Sequence, residues 1–328
     1  MRLRNRARAV LALTFAITLL ATMSACSGST AASYPTKDIT YIVEWGQGGA
    51  ADGIARALGE ATTPHIGKPI MVKNVVGGAG AVGALELVQS KPDGYTVAQQ
   101  QGSVVTIAPH LQDVGFKSED FQVLSMVFTF PFVWTVKADS PYKSLDDIVA
   151  DAKKRPGEIT FSFSGVGTGG HLAVEGLAKK LGIKLKIVPF QTAAEGVTAL
   201  LGGHLDTALS HPPDAATHIK EGRLRPIAAF SKFPGMETIP GLKSLKEMGI
   251  DYEASAWSCN VVPKGTPKDI VEKLRTAFNK GMAEKSFVDY MAKTMQPINI
   301  KTEEETLAIW KADYDAMGTL IKDLGLAK

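Results

Sequence analysis

Three glycine-rich turns carry the most suggestive chemistry in this chain: Gly46 to Asp52, Gly77 to Gly83 and Ser164 to His171. Each stands between an apolar run and an amphipathic one. A turn of that kind leaves backbone N–H groups unpaired at the start of a helix, where the helix dipole is positive. It holds an anion without any basic side chain. Thr168, Ser164 and Ser103 add hydroxyl donors. Two such turns facing each other suit a small carboxylate. The plainer role for the glycines is to make tight turns, and for Gly77 to Gly83 that role is expected.

Competing chemistries fail on their own requirements. Gly78 to Gly83 and Gly165 to Gly170 both spell G-x-G-x-x-G. A dinucleotide site needs an acid about 20 residues later, at the end of the next strand. Val188-Pro189-Phe190 and Tyr95 to Gln99 supply none. Ser162-Phe163-Ser164-Gly165 lacks the first glycine of a nucleophile elbow. Gly67-Lys68-Pro69 lacks the Ser/Thr of a phosphate loop. His204, His211 and His218 are evenly spaced, but Pro212 and Pro213 interrupt any common helix. No H-E-x-x-H or C-x-x-C occurs. No metal, cofactor or catalytic set is expected. Asp52 and Arg56, four apart, read as a helical ion pair. His171 reads as a turn-end residue that orders the loop or touches the ligand.

The elements that must position these turns alternate. A strand over Ile39 to Val43 leads to a helix from Ala50, closed by Pro64 and Gly67. A strand over Pro69 to Asn74 and another from Tyr95 to Ala98 follow, the latter ending at Gln99 to Ser103. Val123 to Val136 is one long β-type run. A second set comprises strands over Glu158 to Phe163, Ile183 to Phe190, Leu205 to Ser210 and Ile227 to Phe230. Helices lie between them. Tyr252 to Pro263 crosses back, and two amphipathic helices, Pro267 to Lys285 and Glu303 to Leu324, finish the chain. This is an α/β protein with parallel strands, two lobes and two crossings, and a cleft beyond the strand ends. The expected division is 34–136 with 260–328 as one lobe, and 137–259 as the other.

The beginning differs from the rest. Arg2 to Arg8 is basic, and Ala9 to Ala21 is an apolar stretch too short to span a bilayer. Residues 1–25 read as a signal peptide. Met23-Ser24-Ala25-Cys26 resembles a lipoprotein cleavage site, with Cys26 as the lipidated terminus. Residues 26–33 form a flexible tether. Removing the four leader arginines lowers Lys+Arg from 36 to 32 against 33 acids, so the formal charge changes from +3 to −1. A nearly neutral mature chain does not suit nucleic acid. With 2 cysteines there is no disulfide scaffold, and Cys259 reads as a small core residue.

These motifs, in this order, resemble the Bug/TctC proteins, the extracytoplasmic receptors of tripartite tricarboxylate transporters. The resemblance runs from Tyr34-Pro35-Thr36 through Gly48-Gly49-Ala50-Ala51-Asp52 and Pro92-Asp93-Gly94-Tyr95. It continues with Gly167-Thr168, His171-Leu172-Ala173 and Gly222-Arg223-Leu224-Arg225, and reaches Pro263 to Pro267. It implies a type II periplasmic-binding fold that closes on a small carboxylate. Carried over by position, it points to Gly48, Gly49 and Ala50 on one lobe, and to Gly167, Thr168, Gly169 and His171 on the other. It implies two integral membrane subunits as partners, a monomer, and a lipid-anchored position in the cell envelope. A receptor feeding a membrane sensor, or an exported enzyme, is the alternative.

Two departures from the family pattern bear on the ligand. Glu44-Trp45-Gly46-Gln47 stands where Pro-Phe-Ala-Pro is usual, and Phe190-Gln191-Thr192 where Tyr-Lys-Gly is frequent. The cleft thus loses a cation and gains an indole at Trp45 and amides at Gln47 and Gln191. Asp52 and Ser210 complete the candidate set. Glu44 is expected to point to solvent.

Overall fold

Short β-branched runs separated by amphipathic ones build two sheets, and the computed structural model follows that alternation. It describes residues 34–327. The fold described is that of the chain from Lys37 onward. The signal peptide, Cys26 and the tether lie outside the described residues.

The first sheet comprises β1 (Ile39–Val43), β2 (Ile70–Asn74), β3 (Thr96–Gln101), β4 (Phe121–Pro131), β10 (Ser255–Pro263) and β11 (Ile298–Lys301). Its order is β11-β4-β10-β3-β1-β2. The second comprises β5 (Val133–Lys137), β6 (Thr160–Ser164), β7 (Lys186–Phe190), β8 (Thr207–Ser210) and β9 (Leu224–Ala229), in the order β7-β6-β8-β5-β9.

Where a helix returns the chain, neighbouring strands are parallel: β1 with β2 and β3, and β6 with β7 and β8. Strands that arrive by direct crossing run the other way. β5 is antiparallel to β8 and β9, and β10 to β3 and β4. The sheets are therefore mixed rather than wholly parallel. The long run at Val123 to Val136 is two strands in two sheets, broken at Phe132. The return strand is already in the first sheet at Ser255.

Local signals set the helix ends. α1 (Ala50–Ile66) continues through Pro64 and stops at Gly67, whose φ of 82° takes the left-handed conformation. β3 extends through Gln99 to Gln101. These residues are buried, because β3 lies between β1 and β10. α5 (Leu145–Lys154) starts at Ser144, whose hydroxyl accepts the Asp147 N–H. One core packs Trp134, Phe161, Phe163, Leu177 and Phe230 on the second sheet. Another packs Ile42, Leu87, Val123, Met126 and Trp310 on the first, and includes Cys259, which is fully buried as expected. Each such side chain contributes about 1.5–3 kcal/mol. The C-terminal helix α11 (Glu303–Asp323) carries Trp310 into the first core and Ile321 against Leu172.

Candidate functional site

The carboxyl ends of β1, β3, β6, β7 and β8 open on one cavity of about 70 Å³. That holds a few waters or a small charged group. Helices begin at the same place. α1 starts there with Gly49 as its N-cap, and no side chain caps it. Ala50 and Ala51, in the first turn where helix amides lack intrahelical partners, line the cavity. α6 (Gly169–Leu181) presents Gly169 and Gly170, and α7 (Ala193–Leu201) presents Thr192 and Ala193.

The two sheets meet across this space. A Cβ placed on Gly49 would lie 3.8 Å from Thr192 Cγ2, and one on Gly169 would lie 4.0 Å from Ser103 Cβ. The turn at Gly46 to Asp52 thus borders Thr192, the turn at Ser164 to His171 borders Ser103, and both line the one cavity. Of the residues singled out in the sequence, Trp45, Gly49, Ala50, Ser103, Ser164, Thr168, Gly169 and Gln191 line the cavity. Gln47, Gly48, Asp52, Gly167, His171 and Ser210 do not.

Several of these outer residues hold the turns in shape. The Asp52 carboxylate accepts from Gly48 N at 3.0 Å, Asn74 Nδ2 at 2.9 Å and Arg56 Nη2 at 2.8 Å. Burial opposes its charge, but the hydrogen bonds from Arg56, Gly48 and Asn74 outweigh it and hold the carboxyl below its usual range. His171 Nδ1 accepts the Gly167 N–H at 3.1 Å, and its ring stacks on Phe163. Burial lowers its pKa, so the ring is a neutral brace for the turn. The Thr168 hydroxyl donates to the Gly165 carbonyl at 2.9 Å, so its proton is already engaged. Gln47 and Gly48 are exposed on the outer side, and the Ser210 hydroxyl is buried away from the cavity lining.

Glu44 corrects its expectation. It has no solvent exposure, and its Oε2 accepts the Gln101 N–H at 3.0 Å. Burial pushes its carboxyl well up, against the hydrogen bonds from Gln101 and Gln100. The turn at Gly77 to Gly83 wraps this residue. At Gly80, with φ of 96°, a Cβ would come within 2.5 Å of Val104 and 3.4 Å of Glu44 Cβ. This turn lines a neighbouring depression, not the cavity.

Sequence reasoning missed Gln101, Phe130, Phe132, His211, Asp214 and Ala256, which also line the cavity. His211-Pro212-Pro213-Asp214 carried a readable signal, with proline at the first helical positions and an acid in the first turn. It opens α8 (Pro212–Lys220). Among the described residues, the lining contains no Lys or Arg. Its ionisable groups are His211, which burial lowers to about 4 against a bond to the Pro131 carbonyl, and Asp214, which burial raises to about 6.

A family model described as "Tripartite tricarboxylate transporter family receptor" (TctC) matches residues 54–326. The "UPF0065 protein in gbd 5'region" of Cupriavidus necator is 31% identical over 303 residues, covering 90% of each chain. The structure of the periplasmic binding protein BugD is 26% identical, with a TM-score of 0.83 over 90% of this chain and 100% of that one. An R. palustris protein with adipate shares the fold at 23% identity, with a TM-score of 0.82 over 90% of this chain and 99% of its own. The two sheets are the two lobes of an α/β periplasmic-binding fold, and the cavity is its central cleft. The chain belongs to the TctC family, the solute-binding receptors of the tripartite tricarboxylate transporter family.

Proposed function

We propose that this protein is a lipid-anchored extracytoplasmic receptor that captures a small organic carboxylate and delivers it to two integral membrane transporter subunits. It works as a monomer and catalyses no reaction. The lobes close on the ligand by bending at Phe132 and before Ser255, where the chain crosses between sheets. Cys26 carries the lipid, and residues 27–33 tether the fold to the membrane.

One observation carries the reading. α1, α6 and α7 all begin at one cavity whose lining, among the described residues, has no Lys or Arg. Converging helix starts concentrate positive potential and free N–H groups, the donor set that a carboxylate needs. The adipate seen with a protein of the same fold is consistent with that chemistry.

A thermal-shift screen of the purified protein tests it, with mono-, di- and tricarboxylates, aromatic acids, amino acids and uncharged amides. A ligand at 100 times its Kd adds about 2.7 kcal/mol to stability. Stabilisation by at least one acid is expected. Silence from every acid, or turnover of one, would overturn the reading.

A further inference from the structure

The cavity contains a polar pair that capture of a simple carboxylate does not require. His211 follows β8 as the N-cap of α8, Asp214 sits in the first turn of α8, and both line the cavity. His211 Nδ1 lies 3.1 Å from the Pro131 carbonyl oxygen. A carbonyl only accepts, so Nδ1 bears the proton and Nε2 is a bare acceptor. Phe130 and Phe132 flank the ring, with centroids at 4.8 and 5.2 Å, and fix it in place. Asp214 Oδ2 accepts the His211 N–H at 3.3 Å, which leaves Oδ1 as a second acceptor.

A cavity built of amide donors thus also presents an imidazole acceptor and an acid. A second carboxylate placed there would meet acceptors and like charge. A protonated amine would satisfy both groups.

We propose that the ligand is an aminocarboxylate zwitterion, with its carboxylate at the open amides of α1 and α6 and its ammonium group at His211 Nε2 and Asp214. This rests on the carboxylate-receptor reading and names the ligand class. The remaining cavity wall suits an uncharged side chain, since Trp45, Phe130, Phe132 and Ala256 form much of it.

The test is calorimetric titration of the protein near neutral pH. The probes are the proteinogenic amino acids and γ-aminobutyrate, each set against its desamino acid, with succinate and glutarate as diacids. At least one aminocarboxylate should bind about tenfold or more tighter than its desamino partner and the diacids. Asp214→Asn keeps an acceptor for the His211 N–H and should erase that preference without lowering the melting temperature.

A second readout does not depend on the variant's folding. Binding of an ammonium group favours ionised Asp214, so affinity should fall by up to about tenfold per pH unit below pH 6. The groups around Asp214 stay silent there. His211 titrates at about 4, burial raises the Tyr290 phenol, and the Asp52 carboxylate is held low. Diacids or desamino acids binding as tightly as any aminocarboxylate would overturn the inference and leave the receptor reading intact. So would a preference that survives in Asp214→Asn. Silence from all acids would overturn both.

Discussion

Glu44 Oε2 accepts the backbone N–H of Gln101 at 3.0 Å from a position with no solvent exposure. Its other oxygen has no partner among the described residues. Burial therefore favours the protonated form, and the folded pKa lies well above the ordinary value of 4.5. An acid raised on folding weakens the fold as pH climbs past the unfolded value. Glu44→Gln keeps the acceptor and removes the charge. It should stabilise the protein by about 1 kcal/mol or more at alkaline pH, with the gain vanishing in mild acid. Urea unfolding at the two pH values checks this, and equal stabilities in alkali would refute it.

Gly49 and Gly169 border the cavity where added carbons meet only ordinary contacts. The nearest atoms to a new Cβ are Gly46 O at 3.5 Å and Phe132 Cζ at 3.7 Å. Gly49→Val and Gly169→Val should fill the ligand's space and abolish binding. The helix starts should lose about 1 kcal/mol at most. Titration and melting curves on both variants decide this, and unchanged affinity in both would remove the two turns from the binding site.

Trp45 and Gln191 line the cavity, and no cation accompanies them in its wall. Aromatic and monocarboxylic acids, amino acids included, should therefore bind better than citrate. Trp45→Ala should weaken an aromatic acid by about threefold to tenfold and spare a short aliphatic one. Tight citrate binding with no aromatic binding would reverse the ranking.

Asp52 joins Gly48, Arg56 and Asn74 into one bracket behind the first turn. Its folded pKa is depressed, so its contribution is complete above the unfolded value of 3.8 and is lost as pH falls through the folded one. Asp52→Asn should cost about 1–3 kcal/mol at neutral pH, and the difference from the parent should shrink in strong acid. Denaturant curves at both pH values measure it. A pH-independent difference would mean that packing, not charge, holds the turn.

Cys26 is expected to carry the lipid anchor. Cys26→Ala should release the protein from membranes after cell fractionation. Retention in the membrane fraction would show a different mode of attachment.

The start of α1 was legible in the chain because its signal is local: a glycine turn followed by apolar residues at helical spacing defines Ala50 to Ile66. α6 begins at Gly169, inside the glycine turn, because the Thr168 hydroxyl accepts the His171 N–H. Asp52 and His171 each accept the N–H of a turn glycine four residues earlier, Gly48 and Gly167, a spacing that is also local in the chain. Trp45 and Gln191 stood out because they depart from a family pattern. Both line the cavity wall.

The sequence by itself determined the α/β alternation, the glycine turns and the family, because each is written in contiguous residues. The tertiary structure alone decided what joins them. Phe130, Phe132 and His211 come together only because the chain changes sheets at Phe132 and β8 pairs with β5 beside that crossing. Asp214 acquires its raised pKa from the same burial. Glu44 looks like a surface acid in the chain, yet β3 and the Gly77 to Gly83 turn enclose it. Burial and electrostatics depend on which strand ends meet, and that is a property of long-range pairing that no local periodicity encodes.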